Sequence, residues 1–149
     1  MTMRALILTK IFPNRVDPGA APFNRQQFGA LGRLCELEVL ATIPWFPGAQ
    51  LFRKWSAAGR LTAVPAWESI DTLSVHHPRT FFVPKLLPGL AGPLYVASLL
   101  GSARKYRGKV DVVLGSWAYP DGFAAVRLAE LLGVPAVVKL HEAFKLDVA

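Results

Sequence analysis

The sequence predicts an α/β fold, a doubly wound parallel sheet, and three observations carry that prediction. Short apolar runs of strand length recur along the chain, segments of helical patterning separate them, and residues 110–141, VDVVLGSWAYPDGFAAVRLAELLGVPAVVKLH, hold strand, turn, helix, turn and strand signals in unbroken succession. In that stretch Val112, Val113 and Leu114 form an apolar run closed by Gly115, as expected of a parallel strand covered on both faces. Pro120, Asp121 and Gly122 then open a helix, with Asp121 expected as its N-cap and Arg127 and Glu130 on its wet side. Gly133 falls where a left-handed C-terminal residue is needed, Pro135 blocks continuation, and a last strand over 136–140 delivers His141 to its carboxyl end.

Taken in order, RALILT at 4–9 makes a first parallel strand. The following segment, 10–21, reads KIFPNRVDPGAA and is longer than the roughly 2 to 6 residues of an ordinary strand-to-helix connection, which marks it as functional. It lacks the G-x-G-x-x-G spacing that folds backbone around a pyrophosphate, so an ordinary dinucleotide site is disfavoured. A helix is expected over 22–34, with Phe23, Gln27, Ala30, Leu31 and Leu34 along one side and Gly29 and Gly32 allowing close approach to the sheet. Residues 36–43 form a second strand ended by Pro44, 72–77 a weaker third, and 90–106 a helix with Arg104, Lys105 and Arg107 at its negative pole. With strands at 110–115 and 136–141 the count is five. Right-handed crossovers give the order 3-2-1-4-5, with a switch point between the first and fourth strands. Ligands bind outside the carboxyl ends of such strands, which gathers the 10–24 loop, residues 116–122 and His141 around one crevice.

At 149 residues and 52% hydrophobic composition the chain is the size of one domain. Its single cysteine, Cys35, reads as a small buried apolar residue and fits a reducing compartment. The apolar start at 5–8 is too short for a secretion signal, and 81–101 is interrupted by Pro84, Lys85, Pro88, Gly89, Gly92 and Pro93, against a membrane span. Adjacent His76 and His77 face opposite sides of a strand and cannot share a metal, so no metal site is expected. The formal charge of +7 is uneven: residues 1–110 carry fourteen basic and five acidic side chains, residues 111–149 three and five. The basic part suits a negatively charged partner. Within it, 44–60 interleaves Trp45, Phe46, Leu51, Phe52 and Trp55 with Arg53, Lys54 and Arg60 and contains no acid. Two readings stand for that stretch: a surface for an anionic bilayer, or aromatics folded back on the domain with solvated charges. No RNP, KH or zinc-knuckle pattern accompanies the rings, so nucleic acid is not the expected partner.

Three segments carry a family resemblance: FPNRVDPGAAPFNRQQFGAL after the first strand, PWFP after the second, and, most specific, SWAYPDGFAAVRLAELLGVPAVVKLH. Together they make most of 4–141 resemble the N-terminal half of a family 4 glycosyltransferase of GT-B architecture, in which two Rossmann-like domains face each other across a cleft. The resemblance implies a domain over 1–141 that holds a sugar or lipid-linked acceptor. It implies a nucleotide-sugar donor bound by a C-terminal domain carrying Glu-x7-Glu, and transfer with retention and usually without metal. No cofactor of its own is expected. His141 matches the histidine of the family's His-Gly-Ser-Asp motif and is the expected catalytic residue. Ser116, Trp117, Tyr119 and Asp121 are expected to line the acceptor side, with Gly19 in the long loop and Arg25 meeting acceptor phosphate or hydroxyls near the first helix's positive end. After His141 the sequence departs from the family, with Glu142 at the small residue's place and Asp147 too far along to replace the motif's aspartate. That departure makes 142–149 a divergent tail. The reading is a truncated or frameshifted product, or one with its donor domain on a separate chain, inactive by itself and placed in the cytoplasm, peripheral at the membrane's inner face. The alternative is a non-enzymatic basic module that binds an anionic membrane or nucleic acid.

Overall fold

The computed structural model describes residues 1–82 and 88–140. Strand β1, Arg4–Thr9, runs through the centre of a six-stranded sheet, and its apolar run is covered on both faces, with Leu6, Ile7 and Leu8 fully buried. Alternation along β1 sends Leu6 and Leu8 to one side and Ala5 and Ile7 to the other. On the first side they meet helices α3, Ala91–Arg104, and α4, Phe123–Leu132, through Leu99, Ala124 and Leu128. On the second they meet α1, Pro22–Leu31, through Phe28, together with Phe12 of the preceding loop.

The remaining strands of this sheet are β2, Glu36–Ala41; β4, Trp67–Ile70; β5, Leu73–His76; β7, Val112–Gly115; and β8, Ala136–Val138, in the order β4-β5-β2-β1-β7-β8. Between β5 and β8 every neighbour is parallel, and the five expected strands lie in the expected order 3-2-1-4-5. β4 is an addition, an antiparallel edge strand on β5. The chain is thus α/β, with a mostly parallel sheet flanked by helices, compatible with a Rossmann-like fold. Among the described residues no helix is long and apolar enough to cross a membrane.

Three expectations need correction. The second strand stops at Ala41, and Ile43–Trp45, β3, pairs instead with Arg79–Phe81, β6, in a separate two-stranded parallel sheet. Pro44 is tolerated there because a two-stranded sheet is all edge and its missing N–H can face outward. α1 ends three residues early and buries Asn24 and Phe28; of the predicted stripe Leu31 packs against the core, while Phe23 and Leu34 are exposed. The i, i+4 pair is set by Phe28 stacking on Phe12, with ring centroids 5.4 Å apart. Of the two glycines, only Gly32 approaches the sheet, where a Cβ would fall 2.9 Å from Leu73 Cδ2; Gly29 has open space.

α4 ends as its sequence predicts. Gly133 adopts φ 71°, its N–H reaches the Glu130 carbonyl, and Arg127 and Glu130 pair at 3.1 Å on the wet face. Arg107 donates to the Leu131 carbonyl at 3.1 Å, so the basic end of α3 also serves the negative pole of α4. A short helix, α2, spans Ala57–Leu61.

Candidate functional site at the carboxyl ends of the strands

The chain leaves β1 toward β2 on one side and returns to β7 on the other, so the switch point opens between Leu8 and Gly115, which are register partners. The long loop from Lys10 to Ala21 lies here and is tied down along its length. Asn14 Oδ1 accepts from the amides of Val16 and Asp17 at 3.0 and 2.9 Å, closing an Asx turn. Phe12 anchors the loop in the core, and buried Asn24 in the first turn of α1 donates to the Ile11 carbonyl at 2.9 Å. Ala21 enters α1 with φ 42°, a left-handed conformation that costs a non-glycine residue about 1 kcal/mol or more. The surrounding bonds hold it there.

Across the switch point, residues 116–122 form an irregular helical turn, Ala118–Gly122, in which Tyr119 is extended and the Tyr119–Pro120 peptide is cis. Gly115 lets this turn lie directly on β7, since a Cβ there would fall 2.8 Å from Gly122 Cα and 3.1 Å from the Asp121 carbonyl oxygen. Asp121 is fully buried. Its Oδ2 accepts from the Lys10 amide at 3.1 Å and its Oδ1 from the Tyr95 hydroxyl at 2.9 Å, while that hydroxyl also lies 3.0 Å from Thr42 Oγ1. One carboxylate therefore joins the loop after β1, the turn after β7, helix α3 and the end of β2. Burial raises its pKa to about 6, against the lowering effect of the Lys10 amide and Tyr95. Burial, reinforced by the Asp121 charge, pushes the Tyr95 phenol well above its ordinary value.

Asp121 is thus not the N-cap of α4. That position belongs to Gly122, with no side-chain cap, because the extra winding of the turn carries the carboxylate inward. Ser116 is also buried, its Oγ 3.4 Å from Asn24 Oδ1, so it fastens β7 to α1 and does not line an open face. Arg25 does not point into the crevice to await a phosphate: it forms a two-pronged pair with Asp71, at 2.8 and 2.7 Å, on the turn between β4 and β5. Gly19 is exposed on the loop, and a methyl group there would come no closer than 3.9 Å to the Asp17 carboxylate, so its place does not demand glycine. Trp117 is half-buried and Tyr119 is exposed. Trp117 meets exposed Phe23 of α1 edge to face at 6.3 Å, and Tyr119 is 56% exposed beside Phe123. His141 lies outside the described residues.

Sequence reasoning missed Tyr95, Thr42, Asn24 and Phe23. Tyr95 carried a signal, since a phenol within an otherwise apolar helix needs a buried partner. On the far side of the loop a cavity of about 180 Å³ is lined by Lys10, Asn14, Asp17, Thr42 and His77 among others. His77 is fully buried between the Ala41 carbonyl, 2.9 Å from Nδ1, and Glu68 Oε1, 2.6 Å from Nε2. Its neighbour His76 stacks flat on Trp67 at 4.1 Å, and burial, with Lys105, His77 and Arg79 nearby, lowers its pKa to about 4. The wider concavity, about 690 Å³, is at the other end of the sheet among Gly32, Cys35, Glu36 and Ser74. It is open and far from the switch point, and the carboxyl-end crevice is the better candidate on topology.

Among the described residues no group of three or more His, Cys, Asp or Glu is placed to hold a metal ion. Comparison of the chain with protein-family models and with curated proteins gives no match. The functional reading therefore rests on the residues and their geometry.

Proposed function

We propose that the crevice between the loop after β1 and the turn after β7 is the acceptor site of a retaining, nucleotide-sugar-dependent glycosyltransferase, of which this chain supplies the acceptor-binding half. The observation that carries the reading is the joint organisation of the two segments. A loop twice the usual length is locked by Asp121, Asn24 and Ser116 against the turn 116–122, at the switch point of a parallel sheet, with Trp117 against exposed Phe23 and Tyr119 exposed nearby. Aromatic rings offer flat apolar faces with polar edges, which suits the stacking of a sugar ring. The same segments are those that resemble the family 4 enzymes. In this reading Asp121 and Ser116 are positioning residues, His141 orients the transferred sugar, and the donor is held by a second domain.

The test is calorimetric titration of the chain with a panel of mono- and disaccharides and their lipid-linked forms. At least one is expected to bind, and Tyr119→Ala or Trp117→Ala should weaken it by about tenfold, or ~1.4 kcal/mol, without lowering the melting temperature. Binding that ignores both substitutions, or no binding across the panel, contradicts the proposal.

A further inference from the structure

The acid-free stretch after β2 leaves several of its apolar side chains outside the core. Leu51 and Trp55 are 82% and 86% exposed, Phe52 is exposed beside them, and Arg53, Lys54 and Arg60 are exposed on the same segment. Residues 39–67 contain no Asp or Glu at all. The segment is nonetheless built. Its short 3-10 turn, Ala49–Phe52, is anchored by buried Ala49, with Phe46 and Phe52 rings 6.1 Å apart. Ser56 Oγ caps α2 by accepting from the Gly59 amide at 3.0 Å, and Gly59, buried, packs on the Phe52 carbonyl where any side chain would collide. Arg53 Nε donates to Thr62 Oγ1 at 3.1 Å, which fixes its guanidinium on the rim. Leu61 of α2 lines the same cavity as Asn14 and Asp17, so the segment stands beside the loop that forms the candidate crevice.

We propose that this face, centred on Leu51 and Trp55 and rimmed by Arg53, Lys54 and Arg60, docks the chain on an anionic lipid bilayer. Exposed rings and a leucine inserted at headgroup depth, with cations left at the level of lipid phosphate and no carboxylate to repel it, are the complement of that surface. The charge selects the occupant, because a purely apolar partner would leave three cations unmatched. The proposal deepens the acceptor reading by making the acceptor a membrane lipid, and in that respect rests on it; docking itself does not.

The experiment is co-sedimentation with vesicles of phosphatidylcholine, alone or with one-third phosphatidylglycerol, and no acceptor present. Affinity for the anionic vesicles is expected to exceed that for neutral ones by about tenfold or more, at roughly tenfold for every one to two cations engaged, and to fall with added salt. Leu51→Ala with Trp55→Ala, and separately Arg53→Gln with Lys54→Gln, should each lower it by about tenfold with an unchanged circular dichroism spectrum. No binding to anionic vesicles, or binding that neither pair reduces, overturns the proposal. So does sedimentation as a dimer that the Leu51 and Trp55 substitutions dissociate, which assigns the face to a second copy, or retention on single-stranded nucleic acid in preference to vesicles. Tyr119→Ala should leave vesicle binding intact, so loss of saccharide binding with docking preserved, or the reverse, shows which of the two readings failed.

Discussion

At the scale of single residues Asp121 carries the most testable chemistry, because its folded pKa is raised to about 6 and that of His76 is lowered to about 4. For Asp121 the sign is that of a raised group: its contribution is full below the unfolded value near 3.8 and is lost as pH rises through about 6. For His76, kept neutral by burial, the contribution is full above about 6.5 and is lost as pH falls through about 4. Asp121→Asn removes the first effect and leaves the second. The amide can still accept from Lys10 N–H and donate to Tyr95, so the fold survives. Between pH 4 and pH 7 the stability of the variant relative to wild type, measured by urea unfolding, should shift in its favour by on the order of 2 kcal/mol. A difference that does not vary with pH would show that Asp121 is not the buried acid described. The expectation for Asp121 was an N-cap of α4, and the structure buries its carboxylate instead. A carboxylate before a helix ordinarily caps it, and only the inward winding of the Tyr119 turn reverses that. Arg25 was misjudged similarly, since its partner Asp71 is 46 residues away on a hairpin that periodicity did not reveal.

At the scale of elements, the contact between β7 and the turn that follows is set by Gly115. Gly115→Ala places a methyl group 2.8 Å from Gly122 Cα, against backbone that cannot rotate away. It should cost about 1 to 3 kcal/mol and loosen the crevice, seen as a lowered melting temperature together with weaker saccharide binding. An unchanged melting temperature would mean that the turn does not rest on the strand. β8 tests the sheet's other property. All three of its residues are exposed and among the described residues it pairs with β7 alone, whereas β1 lies between two partners. Its amides should exchange at least about tenfold faster than those of Leu6 to Leu8, and equal protection would show that β8 is covered. β1 was legible because full burial of Leu6, Ile7 and Leu8 leaves an apolar run, and β7 because buried Val113 stands between partly buried Val112 and Leu114. β3, β4 and β6 were not. Each has only three or four residues, Pro44 reads as a stop, and WESI has no apolar run to announce an edge strand.

For the whole molecule, the strand order was legible because right-handed crossovers leave few alternatives for alternating strands and helices. The crevice followed from that order, while its buried network of Asp121, Tyr95, Thr42 and Asn24 depends on contacts between residues up to 111 positions apart, which no local pattern encodes. The same topology gives the central claim, that acceptor chemistry belongs to the carboxyl ends of β1 and β7. Amide chemical shifts of the isotopically labelled chain, followed during titration with a saccharide that binds it, test this most directly. Saturable shifts concentrated in residues 10–24 and 116–122 are the predicted result. Shifts concentrated instead at residues 32–37 and 72–74, around the wide concavity at the opposite end of the sheet, would contradict it.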